Sequence, residues 1–277
     1  MVVVQETRCE SCGLCVEICH EGCMVLGTSG PIIDHELCST CTQCISICPC
    51  RALTWDGAKP VPFDRNRLPS AEQLDELLKE RRTIRRFKSE AIENELIEEI
   101  VSYGIHAPTN NFDLRIVVVT DRCLIRDLDA IIIAYVAKIY NLIYRSKVVF
   151  RLVQALTPGL KEQDKVKMEH DLVRGRTYDT LPSAVVFIVG DRRVALSGDS
   201  AQYALYNMIL YAQAIGVGSR LKGTGQIFLD RSRAARKELG LRQHEHILGT
   251  LELGYPALRF SNKVVGKTMP IAWHSQA

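Results

Sequence analysis

The spacing of the cysteines constrains this chain more than any other feature. Cys9, Cys12, Cys15 and Cys19 recur as Cys38, Cys41, Cys44 and Cys48, each 29 residues after its counterpart. Ten of the eleven cysteines fall between Cys9 and Cys50, and Cys123 stands apart. A short apolar segment follows each run, MVLG after the first and ALTW after the second. Such a duplication predicts two similar half-modules packed about a pseudo-twofold axis. The opening Met1-Val-Val-Val-Gln-Glu lacks the basic start and long apolar run of a secretion signal. A cytoplasmic chain with reduced thiols is therefore expected, and disulfides rank low. Zinc favours two cysteine pairs set well apart and does not explain triple runs occurring twice.

Three cysteines at intervals of three on a tight loop can aim their thiolates at one iron–sulfur cube. A fourth, opening a helix three residues further on, faces a second cube. The pattern resembles the two-cluster bacterial ferredoxin domain and covers roughly residues 1 to 57. That resemblance implies two [4Fe–4S] clusters, one on Cys9, Cys12, Cys15 and Cys48, the other on Cys38, Cys41, Cys44 and Cys19. Cys23 and Cys50 exceed the eight ligands and read as small buried residues beside the clusters. His20 stands where the second run has Pro49, a departure that removes no ligand.

The rest of the 277-residue chain is ordinary in composition. Apolar residues make up 47%, and a net charge of +3 asks for neither nucleic acid nor an anionic membrane. The stretch WDGAKPVPFDRNRLPS reads as a linker, giving expected divisions at 1–58, 59–72 and 73–277. Ser70-Ala-Glu-Gln73 reads as a capping box, and Leu74, Leu77 and Leu78 continue at helical spacing. A second helix follows with Leu96, Ile97, Ile100 and Val101 on one face. Strands are predicted at 114–120, 183–191 and 246–256, with helical stretches between them. Residues 128–156 are strongly apolar, but Lys138, Arg145, Lys147 and Arg151 interrupt them. One or two buried or interface helices are expected there rather than a membrane span.

RRTIRRF, residues 81–87, places four arginines and a threonine within six positions. Such a run can be a solvated basic face, and it also suits a phosphate monoester. Together with HAPTNN (106–111), AIGVGSRLKG (214–223) and LGTLELGYP (248–256), it resembles the flavin-dependent nitroreductase family. The resemblance implies FMN bound at the interface of an intertwined homodimer. It assigns Arg81, Arg82, Thr83 and Arg85 to the FMN phosphate, ribityl chain and pyrimidine edge, and Asn111 to the flavin ring. Backbone amides at Lys222 and Gly223 fall near the flavin N5 edge, and Lys263 or Lys267 supplies a last phosphate contact. The sequence departs from the family after Asn111, where Phe-Asp-Leu-Arg leads into the strand, and again in the apolar insertion at 128–156.

The fold class expected is therefore α+β: a small ferredoxin-like two-cluster domain followed by an α/β nitroreductase-like FMN-binding sandwich. Clusters move electrons singly and flavin can collect two, so the fusion suggests an internal electron path. One reading is an oxidoreductase loaded by an external one-electron carrier such as a ferredoxin. It would reduce an electron-poor small molecule of the nitroaromatic, quinone or activated-alkene type, with either direction of flow open. The other is an electron-transfer flavoprotein module serving a redox partner. No Gly-x-Gly-x-x-Gly fingerprint opens a βαβ unit, so a dedicated nicotinamide domain is not expected. Tyr103, His106 and Tyr178 are the side chains that could donate a proton, with packing or surface roles favoured for each.

Overall fold

The computed structural model describes residues 1–108, 113–157, 159 and 161–274. The cysteine-rich segment forms β1 (Val2–Val4), α1 (Leu14–Glu17), β2 (Met24–Leu26), β3 (Pro31–Ile33), α2 (Gln43–Ile47) and β4 (Leu53–Trp55). A shift of 29 residues carries β1 onto β3, α1 into α2 and β2 onto β4. Pairing follows the same shift. β1 runs antiparallel to β4 with Val2 opposite Trp55, and β2 runs antiparallel to β3 with Leu26 opposite Pro31. Each ribbon thus joins the first strand of one half to the last strand of the other, which is the expected twofold arrangement.

The loops are duplicated down to single dihedral angles. Left-handed backbone occurs at Ser11 (φ 51°) and Thr40 (φ 58°), at Gly13 (φ 79°) and Thr42 (φ 61°), and at Gly22 (φ 63°) and Arg51 (φ 55°). A β-branched threonine pays about 1–3 kcal/mol for that conformation. The loop shape in the second half is therefore imposed by its surroundings. The core behind these loops is small, comprising Val2, Met24 and Leu53 with Cys15, Cys23 and Cys44.

Beyond the proline-rich stretch, α3 (Ala71–Glu80) starts as predicted. The Ser70 hydroxyl accepts from the Gln73 amide, and the Gln73 side chain accepts from the Ser70 amide. Its leucines remain partly exposed, with Leu74 and Leu78 both at 43%. α4 (Asn94–Ser102) buries Ile97 and Ile100.

A four-stranded antiparallel sheet organises the rest, in the order β5 (Leu114–Val119), β6 (Ala184–Asp191), β8 (Glu245–Gly254), β7 (Gly218–Leu221). All eight residues of β6 are buried because both faces of the sheet are covered. Ala184, Val186 and Ile188 pack with α4 and α8 (Ser197–Ala214). Val185, Phe187 and Val189 pack with α5 (Arg122–Ile139) and α9 (Arg233–Glu238). The period-2 alternation of the strand splits its side chains between two cores.

The apolar insertion is the body of α5, a π-helical turn at Tyr140–Tyr144, and α6 (Lys147–Leu156), followed by α7 (Glu162–Arg174). α5 buries five side chains, whereas α6 buries Phe150 alone among its described residues. Among the described residues no helix is long and apolar enough to cross a membrane. The four short strands of the cysteine-rich segment were not predicted as strands, and in the larger domain one strand also escaped the sequence reading. β7 is four residues long and lies at the sheet edge, too short to show alternation after the helical run that precedes it.

Candidate functional site

The ten clustered cysteines line two separate cavities. One is bordered by Cys9, Cys12, Cys15, Cys48 and Cys50, the other by Cys38, Cys41, Cys44, Cys19 and Cys23. Each cavity thus draws three cysteines from one run and the fourth from the other. Exposure obeys the repeat, with Cys12 and Cys41 exposed and Cys15 and Cys44 buried. Among the described residues no three His, Cys, Asp or Glu side chains are gathered closely enough to hold a single metal ion.

The surroundings suit sulfur ligands. The Ser11 amide donates to Cys9 Sγ at 3.4 Å and the Ala52 amide to Cys48 Sγ at 3.3 Å. Amides turned inward by left-handed residues form the kind of concavity that accommodates anions and iron–sulfur groups. Gly30 backs the first cavity, where an added Cβ would lie 3.2 Å from Cys9 Sγ. Burial pushes the Cys44 thiol up to about 11. Burial, with Cys19 alongside, pushes Cys23 up to about 12. Metal capture at such thiols must release protons. The two surplus cysteines touch the crossover positions, Cys23 Sγ lying 3.4 Å from Cys19 Sγ and Cys50 Sγ 3.5 Å from Cys48 Sγ.

In the larger domain the arginine run leaves the C-terminus of α3 and lies along the edge strand β7. The Ile84 amide donates to the Ser219 carbonyl at 3.0 Å, and Lys88 donates to the Tyr255 carbonyl at 2.8 Å. This seam explains two glycines of the sequence signatures. A Cβ at Gly218 would come within 2.7 Å of Ile84, and one at Gly254 within 2.5 Å of the Phe87 ring. Close approach of the arginine segment demands both.

Arg82 and Ile84 share one side of the run and line a cavity of about 750 Å³, closed by the end of α8 and by residues 255–260. Arg81, Thr83 and Arg85 alternate with them in sequence and are not among the residues that line this cavity. The Arg82 guanidinium also donates to the Lys79 and Arg81 carbonyls, at 2.7 and 2.9 Å, which caps α3. Arg85 is exposed, Arg81 and Thr83 half-buried. Asn111 lies outside the described residues. Lys263 pairs with Glu76 of α3, and Lys267 is exposed.

Lys222 lies just past the end of β7. Its amide already donates to the Thr250 carbonyl at 2.9 Å, because β7 and β8 continue their ladder there. Its ammonium turns inward, 2.9 Å from both Asp129 and Glu252. The neighbouring Arg220 also pairs with Glu252, and Asp129 accepts from the Thr177 amide at 2.9 Å. Gly223 remains the open position of that turn, where an added Cβ meets nothing within 4 Å. This buried ion cluster was missed from sequence. A signal existed in the lone Asp129 within LDAIII and the lone Glu252 within LGTLELG, charges at otherwise apolar positions.

The candidate proton donors are engaged in packing. Tyr103 stacks on Tyr211 with ring centroids 3.7 Å apart and meets the His106 ring edge-on. Tyr178 lies beneath the Arg176 guanidinium.

Comparison with known proteins places this architecture. The Nitroreductase family matches residues 78–255. No curated protein matches the chain. A nitroreductase with bound FMN from Bacteroides fragilis superposes with a TM-score of 0.54 at 21% identity, covering 72% of this chain and 98% of its own. A second, with bound FMN from Desulfitobacterium hafniense, gives 0.53 at 19% identity, covering 71% and 97%. Oxidized iodotyrosine deiodinase bound to FMN and 3-iodo-L-tyrosine gives 0.51 at 17%, covering 73% and 99%. At these identities the superpositions speak for the fold, and the family match spans well over half of the sequence. This chain belongs to the nitroreductase family.

Proposed function

We propose that the protein is an FMN-dependent oxidoreductase whose N-terminal module, residues 1–58, is a two-[4Fe–4S] ferredoxin domain joined by residues 59–72 to the flavin domain, 73–277. The observation that carries the electron-transfer half is the sorting of cysteines into two cavities, three from one run and one from the other in each. Family membership and the FMN-bound relatives support the flavin half. Bound together, the clusters would supply electrons singly and FMN would deliver them in pairs to an electron-poor small molecule.

This chain's own residues hold and orient. Cys9, Cys12, Cys15 and Cys48 would ligate one cluster, and Cys38, Cys41, Cys44 and Cys19 the other. Arg81, Thr83 and Arg85 would present two cations and a hydroxyl from a segment held by the Ile84–Ser219 and Lys88–Tyr255 backbone bonds, the chemistry a phosphate ester takes. The seam to β7 keeps that segment in register, and the open Gly223 leaves room for a flat ring. Asn111 and Lys263 or Lys267 complete the proposed contacts. A homodimer is supported by apolar side chains left on the surface, among them Leu74, Leu78, Phe260, Val265 and Trp273.

Iron and flavin analysis of the full-length protein tests the reading. About eight irons and one FMN per chain are expected. Arg81→Ala is expected to weaken FMN binding by about 1.5–3 kcal/mol, through loss of a charge-assisted hydrogen bond. Unchanged flavin affinity would remove Arg81 from the site.

A further inference from the structure

We propose that each cluster cavity carries an alternate for its fourth ligand, Cys23 in place of Cys19 and Cys50 in place of Cys48. This rests on the cluster reading given above. Two cubes need eight cysteines, yet all ten of the N-terminal cysteines line the two cavities, five to each.

The surplus pair is not scattered. Each lies against the crossover cysteine of its cavity, with sulfur separations of 3.4 Å for Cys19 and Cys23 and 3.5 Å for Cys48 and Cys50. Duplication did not produce them as a pair. The residue 29 positions after Cys23 is Ala52, and the one 29 positions before Cys50 is Glu21. The two therefore reach the same neighbourhood from different sites in the repeat, Cys23 four residues after its partner and Cys50 two residues after.

Packing alone accounts for Cys23, which is buried at 5%, but not for Cys50, which is half-exposed. A sulfur so close to a ligand sulfur can reach the same iron corner through rotation about its own Cα–Cβ bond. The exchange is thiolate for thiolate. One iron–sulfur bond forms as another breaks, the entering thiol releases a proton and the departing thiolate takes one up. No electron is transferred and the iron count is unchanged. The cavity would then hold its cluster through loss or oxidation of the crossover cysteine.

The test compares Cys19→Ala with Cys19→Ala/Cys23→Ala in full-length protein purified without oxygen, read by iron content and by electron paramagnetic resonance of the reduced protein. The single variant is expected to keep about eight irons with altered g values, and the double variant to fall to roughly four. Cys48→Ala and Cys48→Ala/Cys50→Ala form the matching arm in the other cavity. Equal iron loss in the single and double variants overturns the proposal. So does a single variant that does not accumulate, because an alternate ligand would have rescued it. Wild-type protein without iron would overturn the cluster reading itself, whereas eight irons in the wild type with equal losses overturns this inference alone.

Discussion

In the N-terminal module the hydrophobic cluster consists of Val2, Met24 and Leu53 together with three cysteines, Cys15, Cys23 and Cys44. In the larger domain β6 buries all eight of its residues between two separate cores, and Phe187, Leu205, Met208, Ile247 and Leu251 are almost wholly enclosed. Each such apolar side chain contributes about 1.5–3 kcal/mol. A segment of this module's size with so few apolar side chains needs staples or metal to stay folded. The larger domain needs neither, and it can bear a buried ion cluster and a strand pinned by glycine contacts. The contrast separates a region whose small core includes three cysteines from a region with two extended apolar cores.

The largest expected effect bears on that contrast directly. Removal of iron by a chelator under reducing conditions is expected to expose residues 1–57 to protease while the 78–255 region persists. Mass spectrometry of the fragments reads the outcome. Equal resistance of the module with and without iron would show that its small core suffices.

Next is the ion cluster. Asp129→Ala leaves Lys222 with one buried partner and strips the Thr177 amide of its acceptor. A loss of about 3–5 kcal/mol is expected, read from the urea midpoint of the larger domain. A change below about 1 kcal/mol would mean that water replaces the carboxylate at little cost.

A smaller, pH-dependent effect is expected at the β5–β8 bridge. The Arg115 guanidinium, hydrogen-bonded to Glu245 at 2.8 Å, holds that carboxyl down at about 2 despite its burial. A carboxylate depressed in the folded state stabilises above its ordinary value near 4.5 and loses that contribution as pH falls toward 2. The increment is about 3 kcal/mol. Glu245→Gln should flatten the dependence of unfolding free energy on pH across that window and leave the N-terminal module unaffected.

How much could be read beforehand differs between the two regions for a physical reason. The cysteine runs, the capping box at Ser70 and the strand at Ala184–Asp191 are local patterns, so each was visible in a short window. β7 and the placement of the Lys222 ammonium were not. β7 is a strand only because β8 and the arginine segment flank it. Lys222 meets Asp129 across 93 residues of sequence, through an insertion whose helical period says nothing about what faces it.

The sequence by itself determined the duplication: a 29-residue offset that fixes where thiols, left-handed turns and strands recur, because each is set by residues a few positions apart. Tertiary structure alone decided which surplus thiol lies against which crossover position, and that the Lys222 ammonium turns inward. Those outcomes depend on contacts between distant segments, and spacing along a chain carries no record of them until the chain has packed.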